Sequence, residues 1–267
     1  MAEIKLYTQW PMMMFKEGVN ESGTAWVVRE KPLTVFLNHN EFSTMVCSPG
    51  AYEELAVGFL LSEGILHSLD DIEDIRCRQE QGLLWIETKH PVTISDNFLR
   101  RHMASCCGKG RAGLYFINDA RQLEAVNSDL RLEMARILEL MSQFEEQAEL
   151  FRLTGGVHSV ALAGDNGLVA RFEDIGRHNA VDKVLGYAIL NRIDTADKCL
   201  LLSGRIASEI LIKAARGNVP IIVSRSAPTE LTLELAEELN ICIIGFARGQ
   251  NLTIYTHPER VLLERRE

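Results

Sequence analysis

The stretch of this chain best suited to covalent chemistry is Ser105-Cys106-Cys107-Gly108-Lys109-Gly110, which places two adjacent cysteines in a glycine-bracketed, basic loop. A cysteine reacts as its thiolate, and nearby positive charge and solvent access lower the pKa of the thiol. The other four cysteines fall in strand-like runs, where we expect no chemical role: Cys47, Cys77, Cys199 and Cys242. The pattern predicts a nucleophilic thiol in the loop.

Size, charge and cysteine usage restrict the class of protein. The 267-residue chain has a net charge of −9, which argues against wholesale binding to nucleic acid or to an acidic membrane surface. Residues 1–18 contain no secretory signal, and no apolar run approaches the roughly 18 to 20 residues of a membrane-spanning helix. Six cysteines in such a chain do not suggest a disulfide framework. We therefore predict a cytoplasmic protein that binds neither nucleic acid nor membrane.

The first hundred residues predict a small, β-rich α+β unit, to which we assign residues 1–103. Ser48-Pro49 predicts the start of a helix, with Ser48 as its N-cap and Gly64 at its end. Five runs around this helix have the composition of strands: 25–28, 33–37, 42–46, 72–78 and 83–88. No residue pattern in this unit indicates chemistry.

The chain after residue 128 changes to α/β patterning. Ser128 is expected to cap a helix that runs to about Leu150, and Asp165-Asn166-Gly167 predicts a hairpin turn. Strands connected by helices run parallel, with right-handed crossovers. Three short apolar runs alternate with helices in this way: 199–202, 220–223 and 241–246. We predict an α/β domain over 128–267, joined to the first unit by the cysteine loop and a connection over 104–127.

An arginine follows each of the three predicted parallel strands, in Ser203-Gly204-Arg205, Ser224-Arg225-Ser226 and Ala247-Arg248-Gly249. Ligands of open α/β sheets bind beyond the carboxyl ends of the strands, where arginines and helix N-termini both favour anions. The three tripeptides predict a phosphate or pyrophosphate site, although neither G-x-x-x-x-G-K-[ST] nor G-x-G-x-x-G occurs.

Further residues could extend this site. Arg177 and His178 add basic groups at the start of a helix, and Gly155-Gly156 would let backbone amides approach a phosphate. His158 could face the ligand or lie in the core. Two interpretations stay open for the acidic residues Glu173, Asp174 and Asp182. They could contact a basic side chain or a sugar hydroxyl of the ligand. Alternatively, they could provide ordinary helix-end electrostatics. Neither C-x-x-C nor H-E-x-x-H occurs, so we predict no metal site.

Taken together, these segments resemble the FdhD family, the sulfur carrier proteins needed for formate dehydrogenase activity. The resemblance covers nearly the whole chain and is based on five segments: 154–158, 173–183, 203–205, 224–229 and 245–249. It implies a cytidine-deaminase-like α/β fold, in which a three-layer α/β/α domain with a mixed sheet is joined to a smaller N-terminal α+β domain. It also implies a homodimer.

The resemblance implies an activity as well. Family members accept persulfide sulfur from a cysteine desulfurase and pass it to the molybdenum bis(molybdopterin guanine dinucleotide) cofactor before that cofactor enters formate dehydrogenase. We therefore expect a carrier-type sulfurtransferase that binds the cofactor as cargo and has no structural metal. The segment that matches the family's cofactor-binding segment is Phe246, Ala247, Arg248, Gly249, Gln250 and Asn251. The other predicted cofactor-binding residues are Gly155, Gly156, His158, Arg177, His178, Arg205, Ser224 and Arg225.

The cysteine loop departs from the family pattern, which is usually Ser-Ser-Cys-Gly-x-Cys-Gly-Lys. Aligned without gaps, Cys107 takes the first cysteine position, Cys106 replaces a serine, and Gly110 stands at the second cysteine position. With a two-residue gap, Cys106 and Cys107 become the two family cysteines. We favour the ungapped alignment because it needs no deletion in a functional loop. Cys107 is then the persulfide carrier and Cys106 an auxiliary residue.

Two other functions compete with the sulfur carrier. A cofactor chaperone would bind the pterin dinucleotide without carrying sulfur. A nucleobase deaminase is disfavoured because the sequence lacks the zinc ligands of that class. The identity of the client enzyme, and the choice between molybdenum and tungsten, stay open.

Overall fold

The computed structural model describes residues 5–90 and 123–263. The loop that contains Cys106 and Cys107 lies outside the described residues, as does the predicted domain boundary at residue 103. The division into residues 1–103, 104–127 and 128–267 therefore stays a prediction.

A four-stranded sheet and one helix, α1 (Tyr52–Ser62), form the N-terminal unit. The strand order is β4-β3-β6-β5, with β3 (Lys31–Leu37), β4 (Asn40–Cys47), β5 (Ile72–Arg78) and β6 (Leu83–Thr88). A 3₁₀ helix spans Leu69–Asp71. Alternate strand residues pack against one face of α1 and form a separate apolar core. A hairpin of β1 (Tyr7–Lys16) and β2 (Val19–Val28) precedes this sheet and pairs with none of its strands.

The helix after β4 begins later than the sequence predicts. α1 starts at Tyr52, and the preceding Ala51 has a φ of 51°. The Ser48 hydroxyl does not cap α1 but accepts a hydrogen bond from the backbone N–H of Ile175, which is 127 residues away. The prediction of Ser48 as N-cap was wrong because a distant donor takes its hydroxyl.

A six-stranded mixed sheet forms the second unit. The strand order is β13-β12-β11-β10-β8-β9, with β8 (His158–Gly164), β9 (Gly167–Asp174), β10 (Cys199–Leu202), β11 (Ile221–Ser224), β12 (Cys242–Arg248) and β13 (Asn251–Ile254). The three central strands β10, β11 and β12 are parallel, as predicted. The others run antiparallel to their neighbours.

Helices cover both faces of this sheet. Three of them bury apolar residues against one face: α4 (Arg177–Leu190), α5 (Ser208–Arg216) and α6 (Glu230–Glu238). α2 (Met134–Glu146) covers the other face. The predicted three-layer α/β/α domain with a mixed sheet, joined to an N-terminal α+β unit, is confirmed. No helix in the described part of the chain is long and apolar enough to cross a membrane.

The prediction of one helix from Ser128 to Leu150 was wrong. The Ser128 hydroxyl donates to the Ala196 carbonyl at 2.5 Å and accepts from the Leu130 N–H, so it is bound outside any helix. The chain then forms β7 (Leu132–Glu133), which pairs with β14 (Val261–Leu262) after a 3₁₀ helix over Pro258–Arg260. α2 ends at Glu146, and a separate short helix, α3 (Glu149–Thr154), follows it.

α1 and α4 cross in backbone contact and thereby join the two units. A Cβ atom on Gly58 would lie 1.8 Å from the carbonyl oxygen of Asp182, and one on Gly186 would lie 1.9 Å from that of Glu54. Both distances are far below van der Waals contact, so each position admits only glycine. The N-terminal unit is therefore packed directly on the helix that begins at Arg177.

Candidate functional site

Polar residues from distant parts of the sequence meet at one edge of the six-stranded sheet. Because β8 is antiparallel to β10, its first residues lie beside the carboxyl end of β10. The Ser159 N–H donates to Ser203 Oγ at 3.0 Å, and the Ser203 N–H donates to the Ser159 carbonyl at 3.1 Å. This pairing brings His158 next to Gly204, where an added Cβ atom would lie 3.2 Å from His158 Nδ1.

A small, open depression lies at this edge. His158, Arg177 and Arg205, three of the predicted site residues, line it together with Ser203, Gly204 and Ile210. Nε of Arg177 is buried and has no hydrogen-bond partner among the described residues, and Arg205 is exposed. A buried donor without an acceptor costs free energy. An anion in the depression would supply the missing acceptor.

The surroundings of His158 favour its neutral form. Burial lowers the pKa of His158, and the positive charges of Arg177 and His178 lower it further. A neutral imidazole offers one donor and one acceptor. The positive charge that faces the depression therefore belongs to the arginines, and His158 contributes hydrogen bonding.

His178 pairs with an acidic residue that was not predicted from the sequence. Its Nε2 lies 2.7 Å from Oε2 of Glu209, in the first turn of α5. The hydrogen bond from His178 lowers the pKa of the Glu209 carboxyl. An acidic residue in the first turn of a helix is a common local feature, so nothing in the sequence linked it to His178. Only the packing of α4 beside α5 brings the two together.

The three arginines of the predicted anion site, Arg205, Arg225 and Arg248, differ in their surroundings. Nε of Arg225 lies 2.8 Å from Oε1 of Glu145 on α2, which offsets part of its charge. Nε of Arg248 donates to the Arg225 carbonyl at 2.9 Å, which holds that side chain beside the second tripeptide. Arg205 has no ion-pair partner within residues 5–90 and 123–263. Arg205 and Arg177 are thus the arginines most available to an anion.

The segment from Phe246 to Asn251 comprises the irregular end of β12, the turn at residues 249–250 and the first residue of β13. A register shift between Gly245 and Arg248 places Phe246 at a φ of 52°, with its side chain 46% exposed. A positive φ is costly for a bulky residue and occurs most often where the surroundings impose it. Ala247 is buried in the core, whereas the following residues are exposed.

Ser224 is also buried, and its hydroxyl is used within the chain. It donates to the Gly204 carbonyl at 2.6 Å and accepts from the Ser226 N–H at 3.0 Å. These two bonds tie the ends of β10 and β11 together. The structure therefore provides Ser224 with a role in shaping the edge, and its direct contact with a ligand stays a prediction.

The Gly155-Gly156 pair is explained by local structure. Gly155 ends α3 with a φ of 66°, and its N–H donates to the Phe151 carbonyl at 2.7 Å. The Gly156 N–H donates to Thr154 Oγ1, and a Cβ atom there would lie 2.8 Å from Val28 Cγ1. Both amides already have acceptors inside the chain, so their predicted contact with a phosphate is not needed to explain either glycine.

The acidic residues for which two interpretations stood open all have partners within the protein. Glu173 accepts from the N–H groups of Leu150 and Phe151 at 3.1 Å each, at the start of α3. Asp182 pairs with Lys213 at 2.7 Å, and Asp174 is a fully buried acceptor next to α4. Asp174 and Asp182 thus contact the basic groups of Lys183 and Lys213, whereas Glu173 binds N–H groups at the start of a helix.

The described cysteines are unsuited to nucleophilic chemistry. Burial raises the pKa of Cys47, Cys199 and Cys242 to about 12, and it also raises that of Cys77. A thiol with such a pKa is almost entirely protonated near neutral pH. Within residues 5–90 and 123–263, no group of three or more His, Cys, Asp or Glu side chains could hold a metal ion.

Comparisons with known proteins agree with the resemblance. The model of the FdhD/NarQ family matches residues 28–262. A relative from Bacillus pumilus is 42% identical over 248 residues, which cover 92% of this chain and 94% of the relative. A relative from Bacillus subtilis is 43% identical over 236 residues, which cover 88% of this chain and 90% of the relative. Both relatives are named sulfur carrier protein FdhD.

A solved structure is similar over nearly the same extent. It is a crystal structure from Desulfotalea psychrophila of a protein assigned as a formate dehydrogenase accessory protein. Its TM-score is 0.80 at 26% identity, and the match covers 97% of this chain and 100% of that one. By sequence and by structure, this chain belongs to the FdhD/NarQ family.

Proposed function

We propose that this protein carries sulfur from a cysteine desulfurase to the molybdenum bis(molybdopterin guanine dinucleotide) cofactor of formate dehydrogenase. Its relatives are named sulfur carrier proteins, and its structural neighbour is assigned as a formate dehydrogenase accessory protein. The main supporting observation is the depression in which Arg177 Nε has no acceptor among the described residues and Arg205 is exposed. The pyrophosphate of the cargo would supply acceptors of the required charge.

The reactive group in this proposal is Cys107, with Cys106 as its auxiliary. The Cys107 thiolate attacks the terminal sulfur of the desulfurase persulfide, the S–S bond of that persulfide breaks, and the desulfurase cysteine leaves as a thiolate. One neutral sulfur atom moves between two cysteines, so loading needs no oxidant or reductant. In delivery the new S–S bond breaks and Cys107 leaves as a thiolate, with a reduced molybdenum centre of the cargo as the source of the electron pair. Lys109 and Arg111, nearby in sequence, favour the thiolate.

Mass spectrometry after incubation with a cysteine desulfurase and cysteine tests this function. We expect the peptide that contains Cys106-Cys107 to gain the mass of one sulfur atom. Peptides that contain Cys199 or Cys242 should gain none, because burial keeps those thiols protonated. A Cys107→Ser variant should lose the added mass and a Cys106→Ser variant should keep it. A chain that binds guanosine diphosphate and never gains sulfur would be the non-catalytic chaperone instead.

We further propose that the protein acts as a homodimer, and the β1–β2 hairpin supports this. Nine large apolar side chains between Tyr7 and Val27 are exposed, among them Trp10 at 64% and Phe15 at 72%. Strand residues alternate between faces, so Trp10 and Met12 lie on one face and Met13 and Phe15 on the other. Monomeric proteins rarely expose contiguous apolar patches above a few hundred Å², and an isolated two-stranded hairpin is marginally stable.

A second copy of the chain is the occupant that this hairpin fits best. If the partner were a client enzyme, both apolar faces of the hairpin would be exposed to water whenever that enzyme is not bound. A second copy of the chain is available wherever the protein is made, so it can keep both faces covered. Nine apolar side chains from each copy would supply the core of an interface of about 1,200–2,000 Å². Pro11 has no N–H to donate, which disfavours strand addition along β1 and favours packing on the faces.

Light scattering at micromolar concentration tests the dimer. We expect the mass of two chains for the parent protein and of one chain for a Trp10→Lys/Phe15→Lys variant, which charges both faces of the hairpin. Leu263→Lys is the matched control, because Leu263 is as exposed as Trp10 but lies at the other end of the described chain. A monomeric parent, or a dimer that the hairpin substitutions leave intact, would contradict the proposal.

A further inference from the structure

We infer that Ser48, in the N-terminal unit, is a positioning residue for the anion site of the α/β domain. The inference rests on the proposed function, because it takes the depression lined by Arg177 as the site that binds the cargo. Ser48 follows β4, is 1% exposed and does not line the depression. Its effect on the site runs through the turn between β9 and α4, residues 175–177.

Asp174 anchors this turn from within the protein. Its Oδ1 accepts from the Gly176 N–H and from Asn179 Nδ2, each at 2.9 Å. Its Oδ2 accepts from Lys183 Nζ at 2.7 Å and from the Ser48 N–H at 3.0 Å. Both carboxylate oxygens are thereby satisfied, and the residues on either side of Arg177 are tied to one buried charge.

One polar group of Ser48 contacts the turn directly, and two others contact Asp174 and Lys183, which anchor it. Besides the N–H bond to Asp174, its hydroxyl accepts from the Ile175 N–H at 3.1 Å and its carbonyl accepts from Lys183 Nζ at 3.0 Å. The neighbouring Val46 carbonyl accepts from Asn179 Nδ2 at 2.9 Å. The N-terminal unit thus holds the turn through residues that do not line the depression.

α4 has no side-chain cap at its start that could hold the turn in place of these contacts. α4 begins after Gly176, which has no side chain and makes no side-chain cap. Arg177 and His178 lie between residues 176 and 179, both of which are bound to Asp174. Because hydrogen bonds from an arginine weaken steeply with misalignment, loss of the Ile175 anchor should lower the affinity of the depression for an anion.

Ser62 provides a matched control on the same face of α4. It is also a buried serine of the N-terminal unit, and its hydroxyl donates to Asp182 Oδ1 at 2.5 Å. Asp182 lies in the second turn of α4, and in the described part of the chain no hydrogen bond joins its carboxylate to residues 175–179. Ser62→Ala therefore removes a comparable buried hydrogen bond without releasing the turn.

The test uses four variants: Ser48→Ala, Ser62→Ala, Arg177→Ala and the Ser48→Ala/Arg177→Ala double variant. Calorimetry measures the affinity of each for guanosine diphosphate, and urea unfolding measures the stability of each. Both serine variants should unfold at lower urea concentration than the parent. Only Ser48→Ala should weaken the affinity, by about threefold to tenfold. The double variant should bind no more weakly than Arg177→Ala alone, because Ser48 acts through Arg177. If Ser48→Ala does not fold, Ser48→Cys keeps the side-chain volume and weakens the acceptor.

The outcomes separate this inference from the function on which it rests. An equal loss of affinity in Ser48→Ala and Ser62→Ala, or additive losses in the double variant, would overturn the positioning role. Unchanged affinity in Ser48→Ala would do the same. If Arg177→Ala itself binds guanosine diphosphate like the parent, the depression is not the anion site, and the proposed function loses its main structural support.

Discussion

A Cys107→Ser variant is expected to bind guanosine diphosphate as tightly as the parent chain and to support no formate dehydrogenase activity. Serine keeps the size of the side chain, but its hydroxyl cannot accept and hold a persulfide sulfur. The depression lined by Arg177 and Arg205 belongs to a different part of the chain, so nucleotide binding should not change. Formate dehydrogenase activity in a bacterial strain that lacks its own sulfur carrier of this family measures the effect.

Cys106→Ser is the natural control, since it changes the adjacent residue in the same way. The ungapped alignment assigns Cys106 an auxiliary role, so this variant should retain most of the activity. The reverse ranking would favour the gapped alignment for the two cysteines. Full activity in both variants would rule out persulfide chemistry and leave the cofactor chaperone as the better account.

The second large effect concerns stability. Replacing Lys213 with methionine is expected to lower the free energy of unfolding by about 3–5 kcal/mol, because it leaves a buried carboxylate without its counter-charge. Lys213 Nζ lies 2.7 Å from each oxygen of Asp182, which is 2% exposed. Among the described residues, the Ser62 hydroxyl is the one other donor to this carboxylate. Urea unfolding followed by circular dichroism measures the change.

Two further variants make this result specific to the buried pair. An Asp182→Leu/Lys213→Met double variant should recover much of the loss, because no unpaired charge remains and the Ser62 hydroxyl can bond to a carbonyl of its own helix. Arg192→Met removes an exposed pair with Asp70 at 2.8 Å and should cost no more than about 1 kcal/mol. A loss in Lys213→Met no larger than that of Arg192→Met would contradict the expectation.

Structural features that depend on residues adjacent in the sequence were predicted well. The strand over Cys199–Leu202 and the hairpin of Ile72–Arg78 with Leu83–Thr88 lie where the sequence predicts them. An apolar run bounded by turn residues is a local signal, and it needs no knowledge of the partner strand. The topology rule for parallel strands then placed Ser203-Gly204-Arg205 and Ser224-Arg225-Ser226 at one edge. β1 was not predicted, and Pro11 interrupts its strand pattern.

Features that depend on the choice between competing partners were predicted poorly. Ser48 and Ser128 both stand where a helix cap is expected, yet each hydroxyl is bound to a distant backbone group. Glu173, which could have met a sugar hydroxyl, instead accepts backbone N–H groups of α3. A hydroxyl or carboxylate has several acceptable partners of similar energy, and only burial of the surrounding residues decides which one it keeps.

The sequence by itself identified the candidate chemistry: adjacent cysteines in a basic loop, and arginines after strands predicted to be parallel in an acidic chain. It could do so because residue type sets thiol reactivity and anion affinity, and short-range pattern sets the strand ends. Only the tertiary structure decided which arginines are available, since Arg225 pairs with Glu145 while Arg177 Nε is buried without a partner among the described residues. It also decided that Ser48, from a unit without chemistry of its own, holds the turn before Arg177. Both outcomes depend on long-range packing, in which each polar group is paired with whatever acceptor the fold brings near it.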